Sequence, residues 1–545
     1  MGSEQDLTAD WRTVGVLGLL TPDKKDIKHA YYFRLHREFD RTGTFFLGED
    51  VALGKYVTDV DDKRNADKPE RLEPDTEYTV RMATLSMDDT MLKAETLSDR
   101  HLAGLLPPID NVASQLLDLD ENLCEATFRT FPEATAPLDS LSFLVGSCRY
   151  PGLLWKVKEA DGIFGPMYDH VKREGAGTAA RFVLMVGDQI YADELNRMLP
   201  IGRADTYIEF QNRYKEALGA PNMRRLLRAT SAYMILDDHE IEDNWTQDRL
   251  THGGKHQLFN FAIGAYMSYQ WSHGPKNHEG QLHYDFVCGG YPYFVLDTRT
   301  QRFKDDEEGL RDNHLLGRPS IDKTHPGQLQ LLLTWLSAQQ NASKNVPKFI
   351  VTSSVFAPNP IKERIKAKVE KTDEMLFDVN EKRRNKSDSW PAYPNTRKAI
   401  VDHIVKNEIQ NVVFLSGDIH CSNIAHIYFE TGGKNLGLYA YDITSSAFYW
   451  PFPFADGDPN NYVHDSKADN QLDPFPFGDE KESSKNAMNY RAWAFTQQDN
   501  FCRIDIDKAS HSLRITYFDR KGKLIEVTDD KGQKVTENTV ELAEW

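Results

Sequence analysis

Residues that can bind a metal ion or transfer a proton stand at the ends of apolar, strand-like segments of this chain. They carry a thiol, carboxylates, a phenol and imidazoles, and they lie at 146–152, 187–191, 237–240 and 416–420. The first two groups directly follow the apolar runs 141–145 and 182–186. Acidic, imidazole, phenol and thiol groups at the ends of neighbouring strands predict a metal-centred hydrolase.

The density of negative charge is the physical reason to expect a cation. The segment 237–245 carries five carboxylates in nine residues, and such charges repel one another unless a cation offsets them. Asp188 has two carboxylate oxygens and can bridge two ions, which in two-metal sites lie about 3.5–4 Å apart. The alternative for both features is a helix cap, a common place for Asp.

Three other groups suggest which ions are present. The phenol of Tyr191 has an ordinary pKa of about 10, so it binds only a strong Lewis acid such as ferric iron; otherwise it is a core aromatic. Cys148 lacks the Cys-x5-Arg pattern of thiol phosphatases, so the pattern does not indicate a nucleophile, and the plain alternative is a buried inert thiol. Asp418 and His420 alternate onto one side of an extended segment, so both can face the same ions.

The composition is that of an acidic globular protein. The chain has 545 residues, 65 of them basic and 83 acidic, for a formal net charge of −18. This balance disfavours stable binding to nucleic acid or to anionic membranes. Five scattered cysteines do not indicate a disulfide framework, and no segment has the roughly 18 consecutive apolar residues of a membrane span.

The first residues carry neither a basic leader nor an apolar core, so the pattern of a signal peptide is missing. We expect a cytoplasmic protein if the chain is full length, and a periplasmic or secreted one if it is a processed form.

Hydrophobic patterns predict two domains. Residues 1–138 contain short alternating runs between polar turns, at 31–35, 43–48 and 78–83, which predict an N-terminal β-sandwich domain. The Leu-x-Pro-x-Thr-x-Tyr pattern that ends at Tyr78 resembles the tyrosine corner of fibronectin III-like and immunoglobulin-like sandwiches.

Residues 139–545 have a different pattern, which predicts an α/β domain. Helical stretches such as 327–339 and 396–405 alternate with buried-type strands, and ligands gather at the carboxyl ends of strands in such folds. The predicted strands are 141–146, 182–187, 232–237, 291–297, 347–354 and 411–417.

The order of five motifs resembles the PhoD-like alkaline phosphatase/phosphodiesterase branch of the calcineurin-like metallophosphoesterases. The motifs are Gly-Ser-Cys at 146–148, Gly-Asp-Gln-Ile-Tyr at 187–191, Asp-Asp-His-Glu-Ile-Glu-Asp-Asn-Trp at 237–245, Asp-Thr-Arg at 297–299 and Ser-Gly-Asp-Ile-His at 416–420. The resemblance covers residues 141 to about 450. It implies that 139–545 form a two-sheet αββα metallophosphoesterase sandwich.

The resemblance also implies a mixed-metal site that contains Fe³⁺ and one or two Ca²⁺ ions. The expected ligands are Cys148, Asp188, Tyr191 and His420 for Fe³⁺, and Asp188, Asp238, Asp418 and either Asp243 or Asn244 for Ca²⁺. Asp418 stands where the broader superfamily has a histidine, and its hard oxygens suit Ca²⁺ or Mg²⁺ better than Zn²⁺. At the second site Mg²⁺, Mn²⁺ or Zn²⁺ are the alternatives.

Three residues are candidates for catalysis. By the resemblance His239 is a general acid or orients the phosphate, and its unperturbed pKa of about 6.5 suits either role. Arg299 either donates a bidentate hydrogen bond to phosphate or supports Asp237 or Asp238. Arg149 is the other candidate for binding phosphate.

The resemblance implies an enzyme that hydrolyses phosphate esters. The motifs do not decide between diesters and monoesters, and we expect a phosphodiesterase with some phosphomonoesterase activity. We expect a metal-bound hydroxide to attack phosphorus while the ions neutralise the developing charge. The substrate would be a phosphate-ester small molecule or a phospholipid, and the aromatic segment 449–454 can line its pocket. The alternatives are a phospholipase D-like headgroup hydrolase and a binding or adhesion protein with a vestigial metal site.

Overall fold

The structure is a computed structural model of the 545-residue chain. It describes residues 12–35, 40–45, 72–87, 106–133, 136–152, 157–173, 179–193, 202–278, 280–304, 312–320, 325–361, 388–452, 457–479, 483 and 485–545. The chain divides into two compact units. The first consists of 1–133, 227–231 and 267–277, and the second of 134–226, 232–266 and 278–545. The first unit thus includes two later segments that the sequence boundary at 138 leaves out.

The first unit contains an antiparallel four-stranded sheet in the order β2-β1-β3-β4. The strands are β1 Arg12–Leu20, β2 Ile27–Arg34, β3 Glu77–Met87 and β4 Glu125–Arg129, and the helices α1 Ile109–Ala113 and α2 Glu121–Cys124 lie between β3 and β4. Val14 and Val16 pack on one face of this sheet together with Ile109 of α1. Leu17 and Leu19 pack on the other face, which explains why β1 is apolar along almost its whole length.

Tyr78 forms the predicted tyrosine corner, since its hydroxyl accepts the backbone N–H of Glu73 at 2.9 Å. The predicted strand at 43–48 is not present at 43–45, and its remainder lies outside the described residues. A second sheet that would complete a sandwich stays a prediction.

The rest of the chain is a mixed α/β structure with several sheets. Its strands are β5 Ser140–Gly146, β6 Phe182–Val186, β7 Ser231–Ile235, β8 Tyr284–Cys288, β9 Tyr291–Val295, β10 Lys348–Thr352, β11 Val412–Ser416, β12 Ser422–Thr431, β13 Lys434–Asn435, β14 Ala440–Thr444, β15 Phe475–Pro476, β16 Asn486–Thr496, β17 Asn500–Asp507, β18 Ser512–Asp519, β19 Val527–Thr528, β20 Lys534–Val535 and β21 Asn538–Glu541. Its helices are α3 Val157–Asp161, α4 Phe164–Val171, α5 Tyr207–Gly219, α6 Pro221–Leu227, α7 Lys255–Tyr269, α8 Gln328–Ser343 and α9 Pro394–Lys406. The six predicted strands and both predicted helices are confirmed.

Two sheets carry most of these strands. The nine-stranded sheet has the order β15-β16-β12-β14-β11-β10-β9-β8, with β13 paired to β12, and the six-stranded sheet has the order β21-β18-β17-β5-β6-β7. Strands β9, β10, β11 and β14 run parallel to one another, as β5 does to β6. Their carboxyl ends therefore come to common edges of the two sheets.

Aromatic rings join the two sheets face to face. Phe143 of β5 packs edge-on against Tyr293 of β9 and Phe349 of β10, with ring centroids 5.5 Å apart in both pairs. Phe182 of β6 lies 5.2 Å from the Tyr293 ring. Burial of such rings on both sides of the contact stabilises the pairing of the sheets, which brings the ends of β5 and β6 near those of β10 and β11.

Helices α8 and α9 cover the nine-stranded sheet. Leu332 and Leu336 of α8 and Ile400 of α9 belong to one buried cluster with Phe414 of β11. The helix predicted at 327–339 therefore packs its apolar side chains against the sheet. Among the described helices none is long and apolar enough to cross a membrane.

Candidate metal centre

The candidate ligands follow directly after strand ends of both sheets. Cys148 comes after β5, Asp188 after β6, Asp238 after β7 and Asp418 after β11. The backbone N–H of Cys148 donates to Gly187 O at 3.2 Å, which joins the β5 and β6 turns. Because these strands end at common edges, Cys148 and Asp418, which are 270 positions apart in the chain, come into contact.

Four predicted iron ligands lie together. One ligand atom each of Cys148, Asp188 and His420 is within 4.8 Å of the others. The Tyr191 hydroxyl is 3.2 Å from His420 Nε2 and 3.4 Å from Asp188 Oδ2, and Cys148 Sγ is also 3.4 Å from Asp188 Oδ2. Such separations are those of atoms that share one ion at bond lengths of about 2.0–2.3 Å.

Two further groups adjoin the first one. Ligand atoms of Asp188, Asp238 and His239 form one group, and those of Asp237, Asp238 and Asp418 form the other, again within 4.8 Å. Asp188 belongs to two of the three groups, as does Asp238. A carboxylate shared in this way has the position of a bridge between adjacent cations.

The backbone at the candidate ligands is unusual. Cys148, Asp188, Asn244, Asp418 and His420 all have positive φ, between 51° and 70°. A left-handed backbone costs a residue with a side chain roughly 1–2 kcal/mol, and such residues cluster at functional sites. Four of these residues, Cys148, Asp188, Asp418 and His420, also have ligand atoms in the groups described above.

A glycine lets the β6 turn approach the β7 turn. Gly187 has φ of +87°, and a Cβ there would lie 2.4 Å from Asp237 Cβ. A side chain at 187 would therefore push the β7 turn, with Asp238, away from Asp188. This close approach is the structural reason for the Gly-Asp pair.

Burial and like charge raise the pKa of several ligands. Burial raises the pKa of Cys148, Asp188 and Asp418 well above the usual values, and Asp237 adds negative charge beside both Asp188 and Asp418. Burial also raises the pKa of Tyr191 well above 10. Groups of this kind ionise when a cation replaces their protons.

The donor atoms fit metal ions. Asp237 Oδ2 and Asp238 Oδ1 are buried and accept no hydrogen bond within the described part of the chain, although buried polar atoms are normally paired. Burial and the charge of His239 lower the pKa of His420 to about 3, which keeps its imidazole neutral and able to bind a metal. The Trp450 ring stacks on His420 at 3.7 Å and holds its orientation.

Asp243 and Asn244, the two alternative oxygen donors predicted for the second ion, contact each other, and Asn244 also contacts Asp238. Asp243 is in none of the described groups of acidic, thiol and imidazole ligands, and its Oδ1 accepts from Asn244 Nδ2 at 2.9 Å. The backbone N–H of Asn244 donates to Asp238 Oδ2 at 2.6 Å. These contacts do not involve the amide oxygen of Asn244, so the choice between Asp243 and Asn244 stays a prediction.

His239 is held by Asp193, a residue that the sequence motifs do not single out. Its Nδ1 is 2.7 Å from Asp193 Oδ1, and its ring stacks on Tyr191 at 4.2 Å. Burial lowers the pKa of His239, but the charges of Asp193, Asp238 and Asp188 outweigh that effect and raise the pKa well above 6.5. Asp193 lies in the same turn as Tyr191, so its proximity to the motif was the available signal.

Glu240 joins the β6 and β7 turns and is another residue that sequence reasoning missed. Its carboxylate accepts the backbone N–H groups of Asp188 at 3.0 Å, Gln189 at 2.6 Å and Asp237 at 2.8 Å. Glu242 is neutralised by Lys255 and Arg249. Glu240 and Glu242 therefore have partners other than a metal, as does Asp237 through Arg299, and charge density alone overstated the case for a cation there.

Arg299 is completely buried and fully engaged by carboxylates. Its Nε donates to Asp237 Oδ1, and its two terminal nitrogens donate to Asp388 at 2.8 and 2.7 Å. Arg302 donates to the same Asp388 at 2.6 Å. Of the two predicted roles, these contacts favour support of Asp237, because they occupy the donors that a phosphate would need.

Arg149 is also buried, but its guanidinium lies 5.6 Å from the ring centroid of Phe164, at the start of α4. Its Nε has no hydrogen-bond partner among the described residues, and burial lowers its pKa to about 10. A role in phosphate binding stays a prediction.

The chain is similar to proteins of known family. Residues 143–452, more than half of the chain, match the family model of the PhoD-like phosphatases. Alkaline phosphatase D of Bacillus subtilis (strain 168) is 24% identical over 332 residues, which cover 57% of this chain and 51% of that protein. The match thus spans about half the length of that relative.

A solved structure described as "Structure of PhoD" has the same fold. It superimposes with a TM-score of 0.54 at 16% sequence identity, and the match covers 97% of this chain and 86% of that one. The ligands at the strand ends, the length of the family match and the shared fold agree with one another. The chain therefore belongs to the PhoD-like phosphatase family.

Proposed function

We propose that this protein is a metal-dependent phosphoesterase. The observation that carries the proposal is the position of Asp188, whose carboxylate belongs both to the group with Cys148 and His420 and to the group with Asp238 and His239. A shared carboxylate between two ligand sets is the arrangement that two-metal hydrolases use for phosphoryl chemistry. Membership of the PhoD-like phosphatase family supports the same activity.

The donor sets support different ions at the two positions. Thiol, phenol, imidazole and carboxylate groups at Cys148, Tyr191, His420 and Asp188 suit Fe³⁺, because phenolate binds a strong Lewis acid. The second position offers the carboxylates of Asp238 and Asp418, the shared Asp188 and an oxygen of either Asp243 or Asn244. All of these are hard oxygens of the kind that Ca²⁺ prefers. We propose one or two Ca²⁺ ions there, within an αββα arrangement of the two sheets and their helices.

The chain's own residues would orient substrate and move a proton. When bound, the cations would supply Lewis acidity to the phosphoryl oxygens and to the attacking water. His239 would donate a proton from Nε2 to the leaving oxygen, because Asp193 holds Nδ1 and leaves the other nitrogen for the substrate. Arg299 would fix Asp237 beside Asp238 and would not contact substrate.

We propose a phosphodiester as the preferred substrate and a phosphomonoester as a slower one. Trp450 and Phe452 pack edge-on at 5.1 Å beside His420, and both are only partly buried. Their apolar surface can contact the second ester group of a diester. The ratio of kcat/KM values on bis(4-nitrophenyl) phosphate and 4-nitrophenyl phosphate tests this preference, and faster hydrolysis of the monoester would overturn it.

Asp188→Ala tests the proposed function itself. It should abolish turnover and reduce metal content while the circular dichroism spectrum stays that of the wild type. Asp169→Ala is the matched control, since Asp169 is an exposed carboxylate on α4 and should keep full activity. Retained turnover in Asp188→Ala would overturn the proposal.

A further inference from the structure

Ser446 lies against the sulfur of Cys148, although no sequence motif pointed to it. Its Oγ is 3.2 Å from Cys148 Sγ, and both residues are completely buried. We propose that Ser446 is a positioning residue whose hydroxyl donates a hydrogen bond to the Cys148 thiolate and so weakens the iron–sulfur bond. This inference rests on the iron site that we propose above.

The hydrogen bonds around Ser446 assign the direction of its proton. Ser446 Oγ accepts the backbone N–H of His420 at 3.0 Å, so a lone pair of this oxygen is already occupied. Its single proton is then directed to Cys148 Sγ. One hydroxyl therefore contacts two of the four proposed iron ligands, the thiol directly and the imidazole residue through its backbone.

A second hydroxyl beside the sulfur does not have this role. Ser147 Oγ is 3.3 Å from Cys148 Sγ, a separation almost equal to that of Ser446. Ser147 Oγ also donates to the backbone oxygen of Ser445, at 3.0 Å, an acceptor that competes with the sulfur for its single proton. The two serines are equally buried, so they differ in the acceptors open to their protons and form a natural pair for comparison.

Ser446 is held in place by further buried polar groups. Its backbone N–H donates to Ser422 Oγ at 3.0 Å, and Ser422 Oγ in turn donates to Asn500 Oδ1 at 2.9 Å. All three residues are completely buried. Such a connected network fixes the hydroxyl toward the sulfur and keeps water from replacing it.

A hydrogen bond to a metal-bound thiolate draws electron density away from the metal. Hydrogen bonds to sulfur are among the factors that tune iron–sulfur and copper–thiolate centres, and partners of the ligands tune metal sites in general. Removing the donor should leave a more electron-rich sulfur. The thiolate-to-iron absorption band should then move to longer wavelength, and the iron–sulfur stretching frequency should rise.

The test compares Ser446→Ala and Ser147→Ala in iron-reconstituted protein, by visible absorption and by resonance Raman spectroscopy excited in the charge-transfer band. Ser446→Ala should show both shifts, and Ser147→Ala should keep the wild-type band and frequency. An unshifted band in Ser446→Ala would overturn the inference, as would equal shifts in both variants. A purely structural role of Ser446 would lower the thermal stability without moving the frequency.

A third variant, Ser446→Cys, tests the inference even if Ser446→Ala does not fold. Its thiol is a weaker donor at the same position, so the band and the frequency should shift in the same direction by a smaller amount. An unshifted band in this variant would overturn the inference. An iron-reconstituted wild type without a charge-transfer band would overturn the proposed iron site together with the inference, whereas a coloured wild type with unshifted variants would overturn the inference alone.

Discussion

The interaction of Asp193 with His239 allows a direct test of His239 as the proposed proton donor. The change is Asp193→Asn, which keeps the size of the side chain and removes its charge. Asp193 Oδ1 lies 2.7 Å from His239 Nδ1, and Asp193 is buried. We therefore expect the variant to weaken a short, water-excluded, charge-assisted hydrogen bond and to leave the ring in place through its stacking on Tyr191.

The size of the effect follows from the strength of that bond. Hydrogen bonds to charged groups contribute about 1.5–3 kcal/mol, and each 1.36 kcal/mol in the barrier changes a rate about tenfold. If the bond stabilises the imidazolium that donates the proton, Asp193→Asn should lower kcat by about 10- to 100-fold. This loss applies to substrates whose leaving oxygen needs a proton.

The assay uses two diesters that differ in their leaving group. Bis(4-nitrophenyl) phosphate releases a stable phenolate that needs little protonation, whereas a dialkyl phosphodiester releases a basic alkoxide. Asp193→Asn should slow the dialkyl substrate far more than the nitrophenyl one, and Asp205→Asn, at a carboxylate that is 65% exposed, should slow neither. Equal losses on both diesters would refute proton donation by His239.

Three other predictions follow from the described contacts. Arg299→Met leaves Asp237 buried without its guanidinium and should lower the free energy of unfolding in urea by about 3–5 kcal/mol; a raised KM with unchanged stability would instead indicate phosphate binding. Burial and the positive charges of Arg173 and Arg503 lower the pKa of His170 to about 3. As the pH falls below about 6.5, His170 is therefore protonated in the unfolded chain before it is protonated in the folded one. The free energy of unfolding that depends on this neutral histidine is complete above about pH 6.5 and is lost toward pH 3, at up to about 1.4 kcal/mol per pH unit. His170→Gln should therefore make the free energy of unfolding in urea depend less on pH between 7.5 and 5.5. The same pH dependence in the variant and the wild type would contradict this. Chelation with EDTA should remove the divalent ions and abolish turnover until Ca²⁺ is added, and undiminished turnover in EDTA would argue against a divalent ion in catalysis.

The grouping of several candidate ligands was predictable from the sequence, because they follow strands that can be recognised by their apolar runs. Cys148, Asp188 and His420 follow such runs, and parallel strands end at common edges of a sheet. Asp418 and His420 do come near one centre, but the expected reason was wrong: the chain is not extended there, and both residues have a left-handed backbone after the end of β11. The family resemblance supplied the choice of ligand types, which strand patterns do not contain.

The supporting residues were not predictable, because their partners depend on tertiary packing. Asp388 lies 89 residues from Arg299 in the chain and belongs to a charge-dense stretch with no visible motif. From the sequence, Glu240 cannot be told from a metal-binding carboxylate. In the structure its carboxylate accepts hydrogen bonds from three backbone N–H groups of two turns. The hydroxyl of Ser446 contacts a sulfur 298 residues away, and nothing local marks that serine.

The N-terminal region also shows that local contacts can be predicted from the sequence and distant ones cannot. The pattern around Tyr78 correctly predicted a side-chain contact with the Glu73 backbone, because that contact is local. The length and pairing of the strands depend on residues far apart in the chain. Local patterns therefore predicted the corner but not the complete arrangement of strands.

The metal content of the purified protein tests the central claim most directly. The measurement is elemental mass spectrometry of wild type and Asp188→Ala, both isolated without added metal or chelator. We predict about one iron and one or two calcium ions per wild-type chain, and a loss of both metals in the variant because Asp188 belongs to both ligand sets. Zinc or manganese alone would contradict the iron roles of Cys148 and Tyr191. A metal-free protein that no added metal activates would contradict the two-metal centre itself.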